Sequence, residues 1–81
     1  MLVAVKLFAR ARDLAGAESV SIEMPDQATV ADLRNQLGSV YPALKGLLAR
    51  SALAVNNEFA DETTILPANA ELALLPPVSG G

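Results

Sequence analysis

The sequence predicts an α+β fold in which one main helix packs across a mixed β-sheet. Three observations indicate this fold. Two largely apolar segments lie near the two ends of the 81 residues, an alternating apolar and polar segment follows the first of them, and one stretch in between has apolar residues at helical spacing. No repeat or linker divides the chain, so we expect a single domain with one modest core.

The first two predicted strands lie close together in the chain. Residues 2–8 are mostly apolar on both faces, so we expect a strand in the middle of the sheet, covered on both sides. Residues 18–24 alternate, which predicts a half-buried edge strand that pairs antiparallel with the first. The intervening residues Ala9–Ala15 are expected to form a short helix that ends at Gly16.

The main helix is predicted from a capping signal and an apolar stripe. Thr29 is suited to be the N-cap, with Asp32 three residues later as its reciprocal partner. Apolar residues then recur at spacings of three and four, at Val30, Leu33, Leu37 and Val40. Pro42 ends this helix. Residues 43–50 are expected to form a further short helix that buries Leu44, Leu47 and Leu48.

Two more strands are predicted in the second half of the chain. Residues 53–55 are apolar and precede Asn56 and Asn57, which favour a tight turn. Residues 71–75 are mostly apolar, so we expect them to be buried on both faces and to pair in parallel with the first strand. In the loop of residues 63–67 the expected inward side chains are Ile65 and Leu66. This order of elements is that of the β-grasp, or ubiquitin-like, fold, which serves many functions.

Composition argues against several classes of function. The net charge is −3 with six scattered basic residues, so no nucleic-acid partner is expected. Cysteine and histidine are absent, which leaves no thiolate, no imidazole base and no ligand set for most transition metals. We interpret Asp61 and Glu62 as a solvated loop pair. No apolar run reaches the length of a membrane span, and the opening residues lack a signal-peptide pattern, so we expect a cytoplasmic protein without a membrane partner.

The C-terminal residues carry the strongest functional signal. We expect a domain over residues 1–75 and a flexible, extended tail over residues 76–81, because Pro76 and Pro77 cannot continue a sheet. Six extended residues reach about 18 Å. Gly80 and Gly81 have no side chains, so this end could enter a narrow channel and present the carboxylate of Gly81. An ionised carboxylate is a poor electrophile, and it becomes reactive when another protein activates it, for example by adenylation.

Four segments make the chain resemble the small subunit of molybdopterin synthase, the MoaD type of sulfur carrier. They are residues 5–16 (VKLFARARDLAG), 29–33 (TVADL), 54–57 (AVNN) and 76–81 (PPVSGG). The resemblance covers essentially the whole length, and the last segment is its most specific element. Two positions differ from the family pattern. Asn69 stands in a turn that usually has glycine, and Leu75 replaces an aromatic residue before the two prolines.

The resemblance implies a carrier function. An ATP-dependent adenylating enzyme would activate the Gly81 carboxylate, and a sulfur donor protein would convert it to a thiocarboxylate. The loaded tail would enter the large subunit of molybdopterin synthase and give sulfur to cyclic pyranopterin monophosphate. The catalytic residues would belong to that large subunit, and this chain would bind no cofactor, since ATP is used by the activating enzyme.

By the same resemblance, Gly81 is the carrier residue and Gly80 keeps the tail slim. The residues implied at the partner interface are Phe8, Arg12, Phe59, Leu75, Pro76, Pro77, Val78 and Ser79. Three alternatives stay open: a ThiS-like carrier for thiazole synthesis, a ubiquitin-like modifier joined to lysines, and a binding module that does not use its tail. Removing Gly81 would leave the last of these unaffected.

Overall fold

The computed structural model describes residues 1–77. Its strands and α-helices, in chain order, are β1 Leu2–Leu7, α1 Ala9–Ala15, β2 Ser19–Glu23, α2 Val30–Val40, α3 Lys45–Leu48, β3 Ala52–Val55, β4 Glu58–Phe59 and β5 Leu72–Leu75. A 3-10 turn over Pro42–Leu44 connects α2 to α3. Among the described residues, no helix has the length and apolar character needed to cross a membrane.

The strands form one mixed sheet in the order β2-β1-β5-β3-β4. β1 and β5 are parallel neighbours inside it, with Lys6 beside Ala73 and Leu7 beside Leu74. β2 pairs antiparallel with β1, and β3 pairs antiparallel with β5. This is the β-grasp arrangement. The predicted fold class, the parallel pairing of the first and last strands, and the edge position of the second strand are confirmed.

One face of the sheet forms the core with the main helix. The β1 residues on this face are at most 6% exposed, and they are Val3, Val5 and Leu7. The matching side chains of α2 are fully buried, and they are Val30, Leu33 and Leu37. Each side chain of this kind stabilises the fold by roughly 1.5–3 kcal/mol when buried. The sheet-to-helix contact is therefore the main source of stability.

Local chemistry defines the ends of the first two helices as predicted. The amide of Asp32 donates to Thr29 Oγ1 at 3.2 Å, and the amide of Thr29 donates to Asp32 Oδ2 at 3.0 Å. This reciprocal pair satisfies amides that have no partner within the helix. α1 ends at Gly16, whose φ of 72° lies in the left-handed region that glycine adopts without strain.

The prediction that the first strand is covered on both faces is wrong. Leu2 is 70% exposed and Phe8 is 43% exposed, because the helices cover only the other face of the sheet. The last strand is also less covered than predicted, since Ala73 and Leu75 are half-buried. Apolar side chains on this second face are therefore presented to solvent.

Two inward predictions outside the sheet are also wrong. Val40 is 49% exposed, because α2 ends there and Tyr41 packs against the core instead. Ile65 is 52% exposed while Leu66 is 3% exposed. Successive side chains of extended backbone point to opposite sides, so only one of this pair can face inward.

Arg34 makes a long-range connection that the sequence did not predict. Its Nε and Nη2 atoms donate to the two carboxylate oxygens of Glu62, both at 2.8 Å. Its Nη1 donates to the carbonyl oxygens of Leu48 and Ser51. The guanidinium therefore joins α2, the segment after α3 and the loop after β4. Such bidentate, charge-assisted bonds are stronger than neutral ones.

Candidate functional site

The sheet face opposite the core, here called the open face, carries three of the predicted interface residues, Phe8, Phe59 and Leu75. Its members are Leu2, Ala4, Lys6, Phe8, Ala52, Ala54, Phe59, Ala73 and Leu75, with Ser19, Ser21 and Glu23 of β2 along one edge. Its middle, here called the alanine floor, consists of Ala4, Ala52, Ala54 and Ala73, of which Ala54 is covered by its neighbours and is only 6% exposed. The larger apolar side chains lie around it. An exposed apolar surface of this kind is typical of a protein interaction site. The open face is therefore the first candidate for a functional site.

Phe8 and Leu75 lie side by side at the end of the open face where β1 and β5 both finish. Leu75 pairs with Ala52 of β3. The β1–β5 register, continued by one residue past the pair of Leu7 and Leu74, sets Phe8 beside Leu75. The chain leaves the sheet at this point through Pro76, which is half-buried, and Pro77, which is exposed. The tail therefore starts at the apolar end of the open face.

Phe8 owes its position to an unusual turn after β1. Phe8 itself is extended, with φ −126° and ψ 154°. Ala9 follows with φ 50°, in the left-handed region that alanine seldom adopts. The amide of Ala11 then donates to the carbonyl oxygen of Phe8 at 3.1 Å. The reversal turns the backbone into α1 while the Phe8 ring stays at the rim of the open face.

Phe59 lies at the far edge of the same face and is 77% exposed. It pairs with Ala54 across the β3–β4 hairpin. The hairpin turns through Asn56 and Asn57, whose φ values of 50° and 68° confirm the predicted tight turn. Asn69 also adopts a positive φ of 59°, so it takes the conformation usually supplied by glycine in its turn.

Arg12 lies on α1 beside this face. Its side chain is 52% exposed, and its Nη1 is 4.0 Å from Glu18 Oε1. An exposed pair at this distance contributes little to stability. Arg12 and Phe8 line a depression of about 320 Å³, which Lys6 also borders. Arg12 is therefore accessible to a partner that covers the rim of the open face.

The remaining predicted site residues are Val78, Ser79, Gly80 and Gly81, and they lie outside the described residues. Their proposed role remains a prediction. The structure places Phe8, Leu75 and Pro76 together and sets Phe59 at the opposite edge of the same face. Lys6 and the alanine floor were not singled out from the sequence. In β1, Ala4 and Lys6 alternate with the buried residues Val3, Val5 and Leu7, and this alternation was the available signal because it assigns Ala4 and Lys6 to the second face.

The acidic pair in the loop after β4 has structural partners. Hydrogen bonds from Arg34 lower the pKa of Glu62, against the smaller opposing effect of burial. The Thr63 hydroxyl donates to Asp61 Oδ1 at 2.7 Å, and this bond is the largest cause that lowers the Asp61 pKa. Within residues 1–77, no group of three or more acidic side chains is placed to hold a metal ion. The pair therefore organises the loop.

The β-grasp fold serves many functions, so the class of this chain is assigned by its similarity to known proteins. A model of the ThiS family matches residues 5–81 of this chain. The chain therefore belongs to the ThiS family.

Some proteins similar to this chain are named as sulfur carriers and others as modifiers. The chain is 38% identical to the molybdopterin synthase sulfur carrier subunit of Dictyostelium discoideum, over 95% of this chain and 93% of that protein. The crystal structure of SAMP1 from Haloferax volcanii is 35% identical with a TM-score of 0.85, and covers 100% of both chains. A complex of subunits 1 and 2 of molybdopterin-converting factor from Helicobacter pylori contains a chain that is 30% identical, with a TM-score of 0.72 and 100% coverage of both.

Proposed function

We propose that this chain is the sulfur-carrier subunit of molybdopterin synthase and that the carboxylate of Gly81 carries the sulfur. The relatives with this name support the proposal across almost the full length of the chain. The observation that carries it is the open face, whose apolar end at Phe8 and Leu75 adjoins the first residues of the tail. A partner that docks on this face would receive the tail directly.

The chemistry requires no catalytic side chain from this protein. A carboxylate oxygen of Gly81 attacks the α-phosphorus of ATP on an adenylating enzyme, which forms an acyl adenylate and releases pyrophosphate. Sulfide sulfur from a donor protein then attacks the acyl carbon, and AMP leaves. The product is a thiocarboxylate. The chain itself holds no cofactor in this sequence of steps.

The second half of the cycle takes place on a partner. The loaded tail enters the large subunit, which supplies the catalytic residues for sulfur transfer to cyclic pyranopterin monophosphate. The Helicobacter pylori complex of the two subunits supports this pairing. Phe8, Phe59 and Leu75 would contact the large subunit, while Pro76 and Pro77 would direct the tail into it.

The proposal is tested with a sample of this protein that already carries the thiocarboxylate on Gly81. Incubation with the large subunit and cyclic pyranopterin monophosphate should consume the thiocarboxylate and produce molybdopterin. The variant without Gly81 is the control, and it should give no product. Consumption by a thiazole-forming synthase, with none by the molybdopterin synthase large subunit, would instead support the ThiS-like alternative and overturn the assignment.

A modifier role is the second candidate. The small archaeal modifier protein 1 of Haloferax volcanii is 36% identical over 94% of this chain and 97% of that protein, which favours this candidate. The same acyl adenylate would react with a lysine amine, form an isopeptide bond and release AMP. To test this role, the chain is incubated with ATP, the adenylating enzyme and a lysate, and the protein products are then digested to peptides. Peptides that carry the C-terminal residues on a lysine would support it, and their absence would count against it.

A further inference from the structure

Lys6 occupies a position on the open face where its neighbours on the paired strands carry no charge. The strand pairings define a row that crosses all five strands, and its members are Ser19, Lys6, Ala73, Ala54 and Phe59. Along β1, the neighbours of Lys6 on the same face are Ala4 and Phe8. The Lys6 charge therefore lies between Ala4 and Phe8 along β1, and Ala73 and Ala54 separate it from Phe59.

Within residues 1–77, no acidic side chain forms an ion pair with Lys6. Nearby Arg12, in contrast, lies 4.0 Å from Glu18. Lys6 and Arg12 border the same depression of about 320 Å³ together with Phe8 and a single carboxylate, Glu18, which lies near Arg12. Two cations and one carboxylate leave one positive charge in excess there. This part of the open face is locally positive, although the whole chain has a net charge of −3.

A partner that covers the open face would remove water from the Lys6 ammonium group. Burial of an unpaired charge is strongly unfavourable, while a charge that meets an opposite charge can contribute to affinity and set the partner's orientation. We infer that the surface docking here is apolar and carries one carboxylate that pairs with Lys6. This inference rests on the proposed function, and it makes Lys6 a specificity-determining residue for the large subunit.

The test compares two lysines of this chain. Binding of the purified large subunit is measured by calorimetry for Lys6→Met and Lys6→Glu. The matched controls are Lys45→Met and Lys45→Glu, because Lys45 lies on α3, on the helix-covered side of the sheet. Lys6→Met should weaken binding roughly 30-fold, because the partner's carboxylate is left buried and unpaired, and Lys6→Glu should weaken it further. The Lys45 variants should bind as the parent does.

Salt dependence provides a second readout. Affinity of the parent chain should fall as salt is raised, and that dependence should be smaller for Lys6→Met, which has lost the pairing charge. Unchanged or tighter binding by Lys6→Met would overturn the inference, because it would show that the ammonium group is only desolvated.

Phe8→Ala and Phe59→Ala separate this inference from the docking proposal. If the two phenylalanine variants weaken binding while Lys6→Met does not, the open face is the docking surface, and only the inferred carboxylate partner of Lys6 is wrong. If neither phenylalanine variant weakens binding, docking on this face is wrong, and the Lys6 inference fails with it. Thiocarboxylate formation at Gly81 is assayed separately and is independent of both results.

Discussion

We expect Phe59 to contribute to binding of a partner and not to folding. It is 77% exposed at the edge of the open face and contributes little buried area to the core. Phe59→Ala should change the free energy of unfolding by less than about 0.5 kcal/mol. It should weaken binding of the large subunit by at least about tenfold, since aromatic anchors dominate interface energies. Urea unfolding and calorimetry measure the two quantities, and a large loss of stability would contradict the described exposure.

Ala9 is the strained residue beside this surface. An alanine in the left-handed region costs about 1 kcal/mol or more, and its φ here is 50°. Ala9→Gly removes this strain but adds freedom to the unfolded chain, so we expect a net gain in stability of about 0.5 kcal/mol.

Ala68→Gly is the matched control for the Ala9 prediction. Ala68 is exposed in a turn and does not have a positive φ, so glycine there should lower stability by a similar amount. Urea unfolding of both variants provides the comparison. A loss of stability for Ala9→Gly as large as that for Ala68→Gly would contradict the strained turn.

Residue-level predictions from sequence succeeded where the deciding chemistry is local. The Thr29–Asp32 capping box and the left-handed Gly16 depend on residues only a few positions apart. The strain at Ala9 was not predictable, since alanine is common in helices and nothing in its type signals a positive φ. Arg34 was missed for another reason, because Glu62 lies 28 positions away in the chain.

At the level of elements, α2 and α3 contain glycines in different surroundings. A Cβ on Gly38 would lie 3.2 Å from Lys45 Cγ and 3.4 Å from Leu48 Cδ1, while one on Gly46 would have nothing within 4 Å. Gly46→Ala should therefore raise stability by about 1 kcal/mol through helix propensity. Gly38→Ala should gain less or lose stability, because the Lys45 side chain must shift to make room for the added methyl group. Thermal unfolding would contradict this if Gly38→Ala were the more stabilising change.

The strands show what an apolar pattern can and cannot indicate. The pattern correctly predicted that residues 2–8 and 71–75 lie next to each other inside the sheet. The pattern wrongly predicted that both faces are covered within this chain. An apolar side chain indicates that contact with water is unfavourable, but it does not indicate whether this chain or a partner would cover the side chain. Leu2 and Phe8 remain exposed in the isolated chain. An interaction face and a buried face have the same appearance in the sequence.

For the whole molecule, the Arg34–Glu62 link and the Asp61 turn predict acid sensitivity. Both acids have a pKa below their ordinary values of 4.5 and 3.8, so the folded state favours their ionised forms. Their contribution to stability is fully present above these ordinary values and is lost as the pH falls through the lower folded values. Urea midpoints measured from about pH 6 to about pH 3 should therefore decrease.

Glu62→Gln identifies the source of this acid sensitivity. The variant should be less stable at neutral pH, since Arg34 loses its charged partner, and its urea midpoint should depend less on pH in the acid range. The control is Glu58→Gln on β4, because Glu58 is exposed and forms no ion pair with residues 1–77. Equal pH dependence in Glu62→Gln and the parent chain would show that the Arg34–Glu62 link does not contribute to acid sensitivity.

The central claim for the molecule is that Gly81 is loaded with sulfur, and mass spectrometry of its C-terminal peptide tests this most directly. The full chain is incubated with ATP, a ThiS-family adenylating enzyme and sulfide. We predict that one oxygen of the Gly81 carboxylate is replaced by one sulfur, and that this happens only when ATP is present. A carboxylate that stays unchanged with several active adenylating enzymes would contradict the carrier function.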